Sequence, residues 1–178
     1  MTTSEIHKIC KEHDIKYYTI NDDMSISVDG DVSLSGRNLK SIPITFKEVG
    51  SHFYCGYNQL TSLKGCPETV GGHFSCSNNQ LTSLKYCPET VGDFYCSNNH
   101  LTNFDGLPEF FEQPIYLLGN PVYEIYSLFN RDPRCIYWIR EFDVIQGDEV
   151  VRDRLEEVYH ALGMDIPKNI VLKEYILV

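Results

Sequence analysis

The sequence predicts a solenoid, in which the chain winds into successive coils that stack on one another. Residues 52–110 contain nearly the same segment three times: HFYCGYNQLTSLKGCPETVG, HFSCSNNQLTSLKYCPETVG and DFYCSNNHLTNFDGLPEF. One cysteine recurs after 21 and then 20 residues, at Cys55, Cys76 and Cys96. A fixed period of that length is typical of stacked repeats, which build an extended surface instead of a deep pocket.

Each repeat follows the frame apolar-x-apolar-x-x-Asn-x-Leu-x-x-Leu, whose first two apolar positions predict a short strand. In the first of the three copies the frame is filled by Phe53, Cys55, Asn58, Leu60 and Leu63. A degenerate copy precedes them at 32–42, with Arg37 in place of the asparagine, and another follows at 115–125. The sequence therefore predicts five coils over residues 31–125, with imperfect outer copies that shield the stack from water.

The segments that return the chain from one strand to the next predict little helix. GCPETVGG (65–72) carries Pro67 and several glycines, which disfavour a helix. We expect turns, polyproline-like or 3₁₀ geometry there, and a mostly helix-free outer side.

The two ends of the chain predict separate caps. Residues 1–30 predict a helix over 3–13, with Thr3 or Ser4 as N-cap, and then a β-meander that joins the first repeat strand. Residues 126–178 predict a helical cap, with one helix starting at Asp132-Pro133 and another running from Gly147-Asp148 to Leu162. NIVLKEYILV (169–178) predicts an edge strand or an extended tail. A small effector module is the alternative for this C-terminal part.

The net charge of −10 is spread along the chain, as −3 over 1–30, −3 over 31–121 and −4 over 122–178. No third of the chain is basic, so we expect no nucleic-acid partner. Acidity of this kind is usually a solubility feature. The more specific alternative is that the protein binds a basic partner or mimics nucleic acid.

The sequence shows neither an export signal nor an apolar run long enough for a bilayer, which predicts a cytoplasmic protein with reduced thiols and no membrane contact.

We expect no cofactor, no metal and no catalysis. Five of the seven cysteines occupy repeat positions that require a compact apolar side chain, and no CxxC pair is present. Cys135 is the one candidate nucleophile, and the sequence lacks a glycine-rich phosphate loop and a nucleophile elbow. His52 and His73 occupy equivalent positions with Asp93 as the one carboxylate in register, which leaves small-ligand or metal capture as an alternative.

From the repeated CSNNxLT pattern through GNPVYEIYSLF (119–129), the chain resembles leucine-rich repeat proteins, specifically the short 20–21-residue class of bacteria and bacteriophages. The resemblance implies a leucine-rich repeat solenoid, α+β by content, with a parallel β-sheet on its concave face. It also suggests a phage protein that blocks a host factor, such as a defence enzyme, in the host-cell cytoplasm.

In a leucine-rich repeat strand, the residues that flank the inward apolar positions face the concave side. Those columns predict a partner-binding surface of His52, Tyr54, Tyr57, His73, Asn78, Asp93, Tyr95, Asn98 and Tyr116, with Pro114 beside them. Tyrosine among Ser, Gly and Asn is a composition suited to binding. We therefore predict a non-enzymatic protein–protein interaction module. A structural or assembly role in a phage or bacterial particle is the second alternative, and the oligomeric state stays open.

Overall fold

The computed structural model describes residues 1–107 and 115–178 of the chain. In chain order the elements are α1 (Thr3–Glu12), β1 (Tyr18–Ile20), β2 (Ile26–Val28), β3 (Val32–Ser33), β4 (Phe46–Val49), β5 (Phe53–Tyr54), β6 (Thr69–Val70), β7 (Phe74–Ser75), β8 (Phe94–Tyr95), β9 (Ile115–Tyr116), α2 (Tyr123–Leu128), α3 (Arg134–Glu141), β10 (Ile145–Gln146), β11 (Glu149–Val150), α4 (Arg152–Ala161) and β12 (Ile176–Leu177). The architecture is a parallel-strand β-solenoid of about four turns, with helices before and after the coils.

The predicted repeat strands form a five-stranded parallel sheet in the order β3-β5-β7-β8-β9. Equivalent residues pair across it, so that Phe53 pairs with Phe74 and Phe74 with Phe94. The rings of Phe53 and Phe74 stack at 5.7 Å inside the solenoid. The repeated leucines also lie fully inside, as predicted, at Leu60, Leu63, Leu81, Leu84 and Leu101. The prediction of a stacked solenoid core is confirmed.

The repeated asparagines, buried except for the partly buried Asn58, join each coil to the next. The side-chain amide of Asn79 donates to the carbonyl oxygens of Cys55 and Cys76, both at 3.0 Å, and its Oδ1 accepts the N–H of Leu60 at 2.9 Å. Asn58, Asn99 and Asn120 make the same kinds of contact. Buried backbone groups need such partners, so the repeated asparagine serves the backbone.

Arg37 occupies the asparagine position of the first coil and makes different contacts. Its guanidinium donates to the carbonyl oxygens of Ser33, at 3.3 Å, and His13, at 3.1 Å. Arg37 therefore connects the C-terminal end of α1 to β3 in the coil that lacks the asparagine.

The return segments form a second sheet, which the sequence analysis missed. Its strand order is β1-β2-β4-β6, and an isolated parallel bridge from Thr69 to Thr90 extends it by one coil. The expectation of turns or 3₁₀ geometry at 65–72 is therefore wrong for residues 69–70. Their N–H and C=O groups pair between coils, as where Val70 N–H donates to Thr90 O at 2.9 Å. The described part of residues 31–122 contains no helix, as the sequence predicted, and α2 begins at Tyr123.

The N-terminal segment joins this second sheet. Strand β2 pairs antiparallel with β1 and parallel with β4, whereas the sequence predicted pairing with the first repeat strand. The turn at Asp29-Gly30 lies between β2 and β3, and these two strands belong to different sheets, as β4 and β5 do in the next coil.

Helix α1 begins at Thr3, one residue before the start that an N-cap at Thr3 would give. Thr2, not Thr3 or Ser4, is the N-cap, and it forms a capping box with Glu5. The Thr2 hydroxyl accepts the N–H of Glu5 at 3.3 Å, while the Glu5 carboxylate accepts the N–H of Thr2 at 2.7 Å. Ile6 and Cys10 on the inner side of the helix are buried in the common core.

The C-terminal part contains three helices and a small sheet in the order β10-β11-β12. Gly147-Asp148 does not start a helix; it forms the turn between β10 and β11, with Gly147 at φ +67°, and α4 begins at Arg152. The Tyr175 hydroxyl donates to Thr102 O at 2.5 Å and the Arg140 guanidinium to Leu107 O at 3.0 Å. These contacts dock the C-terminal part on the last coils. None of the helices in the described chain has the length and apolar character needed to cross a membrane.

Candidate functional site

The face of the five-stranded sheet that points away from the core carries the predicted surface; we call it the outer face. Side chains alternate along each strand, so Phe53, Phe74 and Phe94 point inward and their neighbours point outward. Tyr54 and Tyr95 are partly exposed there, and Tyr116 is 44 % exposed. The other six predicted residues precede or follow these strands: His52, Tyr57, His73, Asn78, Asp93 and Asn98. Pro114 lies outside the described residues.

Five rings form a continuous row across the outer face, which we call the aromatic row: Tyr54, His52, His73, Tyr95 and Tyr116. His52 and His73 stack with their centroids 4.7 Å apart and their planes at 14°. Tyr95 and Tyr116 stack at 4.5 Å and 7°. His73 meets Tyr95 edge to face at 5.9 Å, and Tyr54 packs beside His52 at 5.7 Å. The row crosses four neighbouring strands and leaves partly exposed aromatic surface along its length.

Hydrogen bonds hold the histidines of the row in place. Asp31 Oδ1 accepts the backbone N–H of His52 at 3.0 Å, and His52 Nδ1 accepts the backbone N–H of His73 at 2.9 Å. Because it accepts, His52 Nδ1 carries no proton in this arrangement. The Ser51 hydroxyl and the His52 N–H lower the pKa of Asp31, so this carboxylate is ionised at neutral pH.

Asp93 continues this column on the fourth coil. Its Oδ2 lies 3.3 Å from His73 Nδ1 and accepts the Tyr95 hydroxyl at 3.1 Å. His73 Nδ1 is therefore close to this carboxylate without the geometry of an aligned hydrogen bond. Partial burial, and then the bond to Asp93, raise the pKa of Tyr95, so its hydroxyl stays protonated. No three His, Cys, Asp or Glu side chains within 1–107 and 115–178 are arranged to hold a metal ion.

A column of left-handed residues borders the outer face where each repeat strand ends. Gly36, Tyr57, Asn78, Asn98 and Gly119 have φ values of +67°, +55°, +58°, +55° and +79°. Gly and Asn tolerate this conformation, whereas a bulky side chain costs about 1 kcal/mol in it. Tyr57 is nevertheless 70 % exposed. The sequence predicted Tyr57 in this surface but not its conformation, which the Gly and Asn residues in the same column could have indicated.

The cysteines lie beneath this surface. All seven are free and buried, as the sequence predicted for the five in register. Burial raises the pKa of Cys66, Cys76 and Cys96, and raises that of Cys87 to about 12. Cys135, the one candidate nucleophile, has no exposed surface, and burial followed by the charge of Asp132 raises its pKa. A thiol in this setting stays protonated and out of contact with solvent, so it cannot attack a substrate.

No protein-family model matches the sequence, and a comparison with curated proteins finds no significant similarity. The class that the structure defines is the parallel-strand β-solenoid. A function for this chain has to be argued from the outer face itself, because a fold alone does not specify one.

Proposed function

We propose that this chain is a non-enzymatic protein-binding module whose outer face contacts a partner protein. The observation that carries the proposal is the aromatic row, five rings in mutual contact across four strands. Tyrosine provides a large and rigid contact area with a polar tip, at a low cost in side-chain entropy. Because the rings already hold one another in place, little further ordering is needed when a partner binds.

Tyr57 supports the same proposal from a different direction. At its left-handed position Asn or Gly would be accommodated with less strain, as in the other four coils. Its side chain is 70 % exposed and gains little from packing. Strain that the fold does not require is found preferentially at functional positions.

We further propose that the solenoid is of the leucine-rich repeat type, with the outer face concave. The bonding of Asn58, Asn79 and Asn99 to neighbouring coils and the inward leucines support this assignment. The resemblance to short phage repeats makes one version concrete: a phage protein that occupies and blocks a host factor in the host cytoplasm. In that version the outer face binds the host protein and the chain performs no chemistry.

The test is affinity capture from host lysate, followed by calorimetry with the captured protein. The variant Tyr54→Ser/Tyr95→Ser/Tyr116→Ser removes three rings of the row. The control Tyr17→Ser/Tyr86→Ser removes exposed tyrosines from the other side, since Tyr17 precedes β1 and Tyr86 lies in a return segment. We expect the triple variant to lose the partner and the control to keep it, with both giving the wild-type circular dichroism spectrum. Equal affinity of the triple variant and the wild type would contradict the proposal.

A second candidate, self-assembly, is favoured by one observation. Strand β12 lies at the edge of its sheet, and apolar side chains are exposed around it, with Val171 at 80 %, Ile176 at 56 % and Val178 at 53 %. Exposed edges with apolar side chains promote pairing between chains. Light scattering over a range of concentrations tests this candidate. A constant monomer mass would exclude it, whereas a rising mass that the Ile176→Lys variant abolishes would support it.

A further inference from the structure

The outer face is acidic as well as aromatic. Asp31 and Asp93 lie at two positions of the column that contains His52 and His73. No Lys or Arg is present among the described residues of this column, of the left-handed column, or of the outward strand column Ser33, Tyr54, Ser75, Tyr95 and Tyr116. Arg37 follows β3 in the chain, and its guanidinium is bonded to the backbone carbonyl oxygens of Ser33 and His13. The face therefore presents two carboxylates beside aromatic rings, of which Asp93 also contacts His73 and the Tyr95 hydroxyl.

The aromatic row has one open end. Tyr95 and Tyr116 are parallel at 4.5 Å, so one face of the Tyr116 ring is covered by Tyr95. Strand β9 is the last of the sheet, and no described ring lies beyond Tyr116, which is 44 % exposed. A planar group could stack on its free face, in the place that another coil would fill. A guanidinium suits such a site because it is planar, cationic and weakly hydrated.

We propose that the outer face recognises an arginine-bearing segment of a partner protein. Guanidinium groups stack on the tyrosines of the aromatic row, at Tyr116 above all, and pair with the carboxylates of Asp31 and Asp93. The net charge of −10 favours approach by such a segment and opposes a second copy of this chain. This inference rests on the proposed function and specifies the chemistry of the partner.

Fluorescence anisotropy with the full chain tests the inference. The probe is a short labelled peptide in which arginine alternates with serine. Two further peptides carry lysine or the uncharged arginine analogue citrulline at the same positions. We expect the arginine peptide to bind about fivefold more tightly than the lysine peptide, because only the guanidinium stacks well, and the citrulline peptide to show no binding. Equal binding of the arginine and citrulline peptides, or of the arginine and lysine peptides, would overturn the inference.

Matched variants separate a local site from general attraction between opposite charges. Asp31→Asn/Asp93→Asn should weaken binding of the arginine peptide by about fivefold, as the loss of two exposed ion pairs predicts. Asp148→Asn/Asp165→Asn changes the net charge equally at exposed positions in the C-terminal part and should leave binding unchanged. Equal weakening by both double variants would show non-specific attraction and would refute the inference.

The inference and the proposed function can fail separately. If the captured partner depends on the tyrosines while no arginine peptide binds, the proposed function stands and the arginine chemistry is wrong. If the arginine peptide binds as expected and the tyrosine variant retains its captured partner, the site is real and the proposed function is wrong.

Discussion

The buried thiols predict a pronounced loss of stability in mild alkali. Burial raises the pKa of five of them well above the usual value for cysteine: Cys66, Cys76, Cys87, Cys96 and Cys135. In the unfolded chain these thiols ionise at a pH of about 8.5, whereas in the folded chain they stay protonated. The folded state then binds more protons than the unfolded state, so the stability present below pH of about 8.5 is lost as the pH rises.

The size of this effect follows from the pKa of the unfolded thiol and does not require an accurate pKa for the folded one. At a pH of about 9.5, one unit above the unfolded pKa, each such thiol lowers the free energy of unfolding by about 1.4 kcal/mol. Five thiols together lower it by about 7 kcal/mol. A typical domain has a free energy of unfolding of about 5–15 kcal/mol, so this loss brings the protein close to its unfolding midpoint.

Urea unfolding in the presence of a reductant, followed by circular dichroism at several values between pH of about 7 and about 9.5, measures the effect. The slope of unfolding free energy against pH should approach that of five protons. The variant Cys66→Ala/Cys87→Ala should reduce the slope by about two protons, even though it lowers stability at neutral pH. A free energy that changes by less than about 1 kcal/mol over this range would refute the reasoning, because five buried thiols cannot ionise on unfolding without a larger change.

Three further predictions concern single side chains. Asn79→Ala removes the partner of the buried Leu60 N–H and one of the two asparagine bonds to each of Cys55 O and Cys76 O, which still accept from Asn58 and Asn99, and should cost about 3 kcal/mol in urea unfolding. A cost below about 1 kcal/mol would mean that water replaces the amide. Tyr57→Asn should stabilise the fold by about 1 kcal/mol and weaken binding of the captured partner, and a destabilised variant would contradict the strain at this position. Burial, and then the charge of Arg37, lower the pKa of His13, so the stability present above pH of about 6.5 should fall as the pH drops toward about 5. Melting temperatures of the wild type and His13→Gln across that range check this, and parallel curves would exclude a contribution from His13.

The inward residues of the repeats could be predicted because each position is present in several coils. Phe53, Phe74 and Phe94 occupy one position, and they are all buried. A single coil would not have distinguished a strand from a short apolar turn, since a two-residue strand is too short to show alternation. The strands could be predicted because the same apolar positions recur in successive coils, although each strand is short.

The structural features that the sequence did not predict lie either outside the repeats or in the return segments, where proline and glycine obscured the repeated β-branched residues. The second sheet uses Thr69-Val70, whose β-branched pair is followed by glycine and preceded by Pro67-Glu68, and the proline and glycines dominated the prediction. The choice of Thr2 as N-cap was readable, because Glu5 lies three residues after it, as a capping box requires. At Gly147-Asp148 the turn and the helix start have similar composition, and only the pairing of β10 with β11 decides between them.

On the outer face the sequence predicted positions but not contacts. The columns placed His52 and His73 side by side, yet neither their stacking nor the hydrogen bond to His52 Nδ1 follows from alternation along a strand. These depend on side-chain rotamers, which neighbouring coils select together. The acidic and aromatic character of the face follows from composition, whereas the open end of the row at Tyr116 required the sheet order and the ring geometry.

Differences between the coils show where this molecule departs from the needs of its own fold. The inward positions vary little, since every coil must fill the same section of core. The outward positions vary freely, from Ser33 to Tyr54 to Ser75, because packing places few demands on them. Tyr57 is the informative exception: it keeps a bulky side chain in a left-handed conformation and in solvent, where Asn or Gly is used by the other coils. Tyr17 and Tyr86 are also exposed tyrosines at positive φ, away from the outer face, so the binding measurement on Tyr57→Asn decides whether this cost of about 1 kcal/mol serves the proposed contact.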